Sequence, residues 1–159
     1  MADTLLAENR YEEAEGFLRE IVDSDRRVLG PDHPNTLDAR LSLANTLMEA
    51  GKYSEAEMLY RQVHTGDRRV RPNQAAVTLY DLGCVTAHEG RKTEAIWFLN
   101  DAVDHGLPAY GDLAIEQDPD LNSLHGDPRF AALVAHAKLV AAEKKRSAES
   151  ATSSSQKAN

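Results

Sequence analysis

Apolar residues in the first hundred positions recur at intervals of three and four, and short breaks separate the runs. Leu43 and Leu47 belong to one such run, and the next run begins at Ala56. Gly51 and Gly90 stand at two of the breaks, and glycine commonly ends a helix. The pattern therefore predicts pairs of amphipathic helices joined by tight turns.

These helix pairs repeat along the chain. The sequence TLLAENRYEEAE at residues 4–15 returns as TLMEAGKYSEAE at residues 46–57, and DRRV at 25–28 returns at 67–70, both at a separation of 42 residues. A third copy occupies residues 82–103. One helical hairpin cannot bury its apolar face alone, whereas stacked hairpins can. We therefore predict an all-α fold, a right-handed α-solenoid (alpha–alpha superhelix) of stacked antiparallel hairpins.

The second copy, LANTLMEAGKYSEAEMLYRQV, resembles the tetratricopeptide repeat. The residues at the places of that family's signature are Leu43, Ala44, Gly51, Tyr53, Ala56 and Tyr60. The third copy matches at Leu82, Gly83, Gly90 and Ala95, but Lys92 stands where the family usually has an aromatic residue. The 42-residue spacing and the LGPDHPNT linker are similar to the long repeats of kinesin light chains and many bacterial proteins. The resemblance implies binding to another polypeptide rather than catalysis.

The chain divides into three regions. We expect a repeat region at residues 1–106, a degenerate hairpin that caps it at 107–146, and a disordered, low-complexity tail at 147–159. The hairpins are expected at about 2–28, 36–70 and 73–105. Within the cap, Pro108 and Pro128 each suit the first turn of a helix. The second of these helices has an apolar face of Phe130, Leu133, Val134 and Ala137.

The first hairpin has an opening helix of only about residues 2–9, which suggests a fragment or a degraded array beginning at Met1. Its apolar residues Leu5, Leu6 and Phe17 then lack a preceding repeat to cover them. Terminal repeats normally have a polar outer face. Weak self-association through this N-terminal edge is therefore expected.

The net charge of −8 narrows the choice of partner. The last 22 residues have five Lys or Arg against two Glu, so the rest of the chain is near −11 and would repel a phosphate backbone. Nucleic acid is not an expected partner. No apolar run approaches the roughly 18 residues that span a membrane, and a single cysteine cannot form an internal disulfide. We predict a cytoplasmic protein that does not enter membranes.

The sequence contains little that indicates a metal site or a catalytic site. Asp118, Asp120 and Asn122 have the spacing that opens a calcium loop, but the required later glycine and glutamate are absent, so turn formation is favoured. The six histidines form no helical pair, and Cys84 has no second cysteine. His88 lies one helical turn from Cys84 and could act as its base, but packing is the favoured role of this cysteine. No metal, cofactor or catalytic residue is expected.

The inner groove, formed by the first helices of the second and third hairpins at 36–50 and 73–89, is the expected binding site. The positions not used by the hairpin cores are Asp38, Leu41, Asn45, Met48, Glu49, Val77, Tyr80, Asp81, Cys84 and His88. Asn45 matches an asparagine with which many family members hold a peptide backbone, and Tyr80 offers a rigid aromatic contact. The set contains no Lys or Arg, which argues against a C-terminal carboxylate as ligand.

Two functions stay open. One is a module that binds a peptide or protein in the inner groove, within a larger scaffold or regulatory system. The other is a structural or oligomerisation segment with no free ligand. Trp97 is expected to pack in the core, with a binding anchor as the alternative.

Overall fold

The computed structural model describes residues 10–107 and 115–157, with side chains up to residue 150, and this part of the chain is helical without strands. The helices, numbered here in chain order, are α1 (Tyr11–Val28), α2 (Pro34–Glu49), α3 (Tyr53–Val70), α4 (Ala75–His88), α5 (Lys92–Asp104) and α6 (Pro128–Lys157), with a 3-10 helix η1 at Pro119–Leu124. The end of another helix is seen at 115–117.

Each helix packs against the next one in the chain. Contacts join α1 to α2, α2 to α3, α3 to α4 and α4 to α5, after which η1 packs on α4 and α6 packs on α5. This is the order expected of antiparallel hairpins stacked side by side. The predicted all-α solenoid is therefore confirmed.

Small residues allow the paired helices to approach closely. Ala44, Ala56 and Ala95 are completely buried. A Cβ atom added at Gly83 would lie 2.6 Å from the side chain of Leu99, so no larger residue fits there without displacing that leucine. Alanine and glycine at the signature places of the repeat therefore allow the close packing of the hairpins.

The apolar interior has two parts. The first joins the hairpins through residues such as Leu18, Leu47, Tyr60 and Phe98. The second lies at the C-terminal end, where the predicted apolar face of α6 is buried against α5 and η1. Its buried residues include Leu99, Leu121, Leu124, Phe130, Leu133, Val134 and Ala137. The described residues that follow the third hairpin therefore form part of the hydrophobic core.

Two expectations were wrong. The tail from residue 147 was expected to be disordered, yet α6 continues through Lys157. From residue 129 onward the chain has neither glycine nor proline, and its Ala, Glu and Lys residues favour helix even where, as at 142–150, they are exposed. Trp97 was expected in the core but is 60 % exposed, because it lies on the outward side of α5.

Some expectations fall outside the described residues. The short opening helix with Leu5 and Leu6 lies there, as does most of the helix expected from Pro108. Phe17, the remaining residue of the N-terminal edge, is 37 % exposed. Self-association through this edge stays a prediction.

Candidate functional site

A pocket of about 280 Å³ opens where α2 and α4 face η1. We call it the acidic pocket, and its lining residues are Asn45, Met48, Glu49, Tyr60, Tyr80, Asp81, Cys84, Asp118 and Asp120. Six of the ten predicted groove residues are among these nine. The other four, Asp38, Leu41, Val77 and His88, lie on the same two helices but do not line the pocket.

The repeat itself positions the α2 side of the pocket. Tyr60, a signature residue of the second copy, is buried in α3 and donates its hydroxyl hydrogen bond to Asn45 Oδ1 at 2.8 Å. The hydroxyl oxygen of Tyr60 also lies 3.6 Å from the sulfur of Met48. Burial raises the pKa of Tyr60, so its hydroxyl remains a donor. Asn45 is thereby held through its carbonyl, while its amide NH₂ donates to none of the described residues.

The α4 side of the pocket is joined to η1. The hydroxyl of Tyr80 donates a short hydrogen bond to Asp118, whose other oxygen accepts from the backbone N–H of Asp120 at 2.9 Å. His88 Nε2 lies 2.9 Å from Asp120. Farther along η1, Ser123 donates to the carbonyl of Ala87 at 3.2 Å. The chain after the repeats thus lies across the third hairpin and closes one side of the predicted groove.

Sequence reasoning did not include Asp118 and Asp120 in the site. Their interpretation as turn residues agrees with the structure, because Asp118 accepts the hydrogen bond that begins η1. The sequence did contain one indication that these acids lie near the groove, namely the two apolar residues that follow them. Leu121 and Leu124 had to be buried somewhere, and burying them brings the preceding carboxylates against the solenoid.

The remaining predicted groove residues have other contacts. Asp38, near the start of α2, forms an ion pair at 2.5 Å with Arg71, the residue that follows α3. Leu41 and Val77 are partly buried. The ring of His88 stacks on Tyr53 with centroids 4.9 Å apart. A larger cavity of about 490 Å³ lies beside Phe130, and none of the ten predicted residues lines it.

The acidic pocket has four carboxylates and no Lys, Arg or His among its lining residues. Asp118 and Asp120 are hydrogen-bonded as described above. The side chains of Glu49 and Asp81 form no hydrogen bond or ion pair with any described residue. Burial and the nearby negative charge of Asp118 raise the pKa of Asp81 to about 7. Negative charge is therefore concentrated here without an internal counter-charge.

Asp81→Asn is expected to stabilise the protein at pH 8 and to have little effect near pH 4. The pKa of Asp81 in the folded state, about 7, lies above its ordinary value of 3.8, so the folded state keeps a proton that the unfolded chain loses as pH rises. The carboxyl group of Asp81 therefore lowers the free energy of unfolding progressively as the pH rises from about 3.8 to about 7. The uncharged amide of the Asp81→Asn variant has no such effect. Because Asp81 retains some solvent contact, we expect a gain of about 1–2 kcal/mol at pH 8.

The measurement is the free energy of unfolding by urea from pH 4 to pH 8. Glu20→Gln, at an exposed position of α1, is the control and should be neutral throughout. An Asp81→Asn variant no more stable than the parent at pH 8 would show that Asp81 is already compensated.

Cys84 and His88 do not form the nucleophile and base that the sequence leaves open. Cys84 is buried, and burial together with the charges of Asp118 and Asp81 raises the pKa of its thiol. His88 is directed to Asp120 instead. The thiol thus stays protonated and unactivated.

Cys84, Asp118 and Asp120 place potential metal-ligand atoms within 4.8 Å of one another. A protonated thiol is a poor ligand, and both carboxylates already have hydrogen-bond partners in Tyr80 and His88. A lone cysteine beside two acids does not define a metal site, and we assign none.

Helical hairpins stacked in chain order, with a pocket along their first helices, define a helical-repeat protein. Residues 1–69 match the tetratricopeptide repeat family. The fold is similar to that of two crystal structures of nearly identical TPR-like repeats, described as those of a Podosopora anserina putative kinesin light chain, one of them with a glutamine-to-methionine substitution. Both have a TM-score of 0.62 and 16 % identity, over 91 % of this chain and 93 % of the other.

Comparison with curated proteins finds no match. Residues 1–69 therefore match the tetratricopeptide repeat family by sequence, and the described chain has the fold of stacked TPR-like repeats. No helix in the described ranges is long and apolar enough to cross a bilayer.

Proposed function

We propose that the protein binds a peptide segment of a protein partner in the inner groove, with the acidic pocket as the centre of the contact. Tetratricopeptide repeats are in general protein–protein interaction modules, and residues 1–69 match that family. The observation that carries the proposal is the convergence of Asn45, Met48, Glu49, Tyr80, Asp81 and Cys84 on one pocket. The repeat pattern assigns these residues to helix positions that the hairpin cores do not use. They line one pocket because the stacked hairpins place the first helices side by side along a groove.

The polar and apolar parts of the pocket suit an extended peptide. Tyr60 orients Asn45, whose NH₂ group remains to donate to a backbone carbonyl of the ligand. Met48 contributes a flexible apolar surface beside it, and the volume suits a single side chain rather than a folded domain. A non-catalytic role and a cytoplasmic location, both expected from the sequence, are part of this proposal.

The test is selection from an unbiased library of displayed peptides of about a dozen residues, followed by affinity measurements on the peptides obtained. Asn45→Ala should weaken binding by about 1–3 kcal/mol, a factor of roughly 5–150 in Kd. Gln62→Ala is the matched control, since it removes an exposed amide from α3 that makes no contact with the pocket. Equal binding to the parent and to Asn45→Ala would place the peptide elsewhere.

Tyr80→Ala, which the sequence alone favours as a second groove variant, is unsuitable. Tyr80 packs against both apolar clusters and holds Asp118, so its removal is expected to destabilise the fold as well as any ligand contact. This differs from the expectation from the sequence alone, which is that Tyr80→Ala leaves the fold intact.

A structural or oligomerisation segment remains the second candidate function. The exposure of Phe17 at the N-terminal edge favours it. A dimer that forms with increasing concentration, in a protein for which the library yields no peptide, would support this candidate over the first.

A further inference from the structure

We propose that the acidic pocket selects a Lys or Arg side chain of the bound peptide. This inference rests on the proposed function and specifies the chemistry of the partner. The argument is one of charge complementarity, from the way in which this chain distributes its ion pairs.

Several acidic residues outside the pocket are matched with bases. Glu15 lies 2.8 Å from Lys52 and also pairs with Arg19, and Glu57 pairs with Arg61 at 2.7 Å and with Arg91 at 2.8 Å. These pairs lower the pKa of both glutamates. The second helices and the turns before them therefore carry compensated charge.

The acidic pocket has the opposite character. The side chains of Glu49 and Asp81 have no partner among the described residues, and His88 contacts the cluster only at its edge, 2.9 Å from Asp120. Burial, and after it the nearby negative charge of Asp118, raises the pKa of Asp81, because a carboxylate at this position has little water and no counter-ion to stabilise it. An ammonium or guanidinium group entering the pocket would relieve this repulsion and meet acceptors on several sides.

The shape of the pocket agrees with a long cationic side chain. Its volume of about 280 Å³ is roughly nine times the share of one water molecule in the liquid, which is comparable with a single long side chain. Met48 and the ring of Tyr80 supply apolar surface for the aliphatic stem, while the carboxylates are available to the head group. A net charge of −8 would also attract a basic partner at long range.

The experiment uses random dodecapeptide pools in which one position is fixed as Lys, Arg, Glu or norleucine. Norleucine has nearly the stem of lysine without its charge. The parent protein should bind the Lys and Arg pools roughly 10- to 100-fold more tightly than the norleucine pool in about 0.15 M salt, and the Glu pool most weakly. The preference should shrink in about 1 M salt because of screening.

Glu49→Gln combined with Asp81→Asn should abolish the preference, since it removes the two carboxylates that have no partner among the described residues. Glu20→Gln combined with Glu143→Gln makes the same change in net charge at exposed positions outside the pocket, and should keep the preference. Circular dichroism of each variant establishes that the fold is retained.

The failures can be told apart. Peptides that lose affinity with Asn45→Ala but show no preference for Lys or Arg overturn this inference and leave the proposed function standing. A preference that survives in the doubly substituted variant, Glu49→Gln with Asp81→Asn, also overturns it, because the selecting charge then lies elsewhere. Binding that requires a divalent metal and is lost with EDTA would identify a metal site instead. Failure to bind any pool overturns the proposed function itself.

Discussion

Phe130→Ala is expected to lower the free energy of unfolding by about 3–5 kcal/mol, the cost of deleting a phenylalanine side chain from a packed interior. Phe130 is only 4 % exposed and belongs to the C-terminal part of the core. Its ring also stacks on His125, with centroids 5.6 Å apart. A domain of this size is held by roughly 5–15 kcal/mol in total, so the melting temperature should fall clearly.

Thermal unfolding of the parent, of Phe130→Ala and of two controls tests this expectation. Leu139→Ala makes a comparable change on the same helix at a position that is 62 % exposed, and should be nearly neutral. Ending the chain after residue 146 should also do little, because residues 147–150 are exposed. If Phe130→Ala melts like the parent, residues 107–146 do not cap the solenoid and are better described as a linker.

Leu121→Ala is expected to cost about 2–5 kcal/mol and to open the acidic pocket. Leu121 is completely buried and anchors η1 against α4. Without this anchor, the hydrogen bond from Tyr80 to Asp118 and the contact of His88 with Asp120 lose their support. The variant should therefore lose both stability and any preference for cationic peptides.

Urea unfolding and the peptide-pool assay measure the two effects in the same samples. Asn122→Ala, at the neighbouring exposed position of η1, is the control and should alter neither by more than about 0.5 kcal/mol. A Leu121→Ala protein with unchanged stability would mean that η1 contributes nothing to the core. Lost stability with an intact preference would mean that the pocket does not depend on η1.

Most of the candidate site on the repeats could be predicted from the sequence. Asn45, Met48 and Glu49 follow the same signature that positions Tyr60, and the copy-to-copy offset transfers that geometry to Tyr80, Asp81 and Cys84. Helical spacing decides which side chains share a face, so a repeated pattern is enough to identify the groove. It did not reveal that Asp38 pairs with Arg71, since that contact joins the start of α2 to the residue after α3, which are 33 positions apart in the sequence.

The sequence by itself determined the helical hairpins, their stacking and the inner face, because these depend on local periodicity and on small residues such as Ala44 and Gly83 at fixed places in each repeat. Only the tertiary structure decided where the chain after the repeats lies. Leu121 and Leu124 required burial but did not specify a surface, and packing η1 on α4 brought Asp118 and Asp120 into the groove. Tertiary packing likewise left Trp97 on the outside, since helical periodicity positions a residue on its helix but not the neighbours that would cover it.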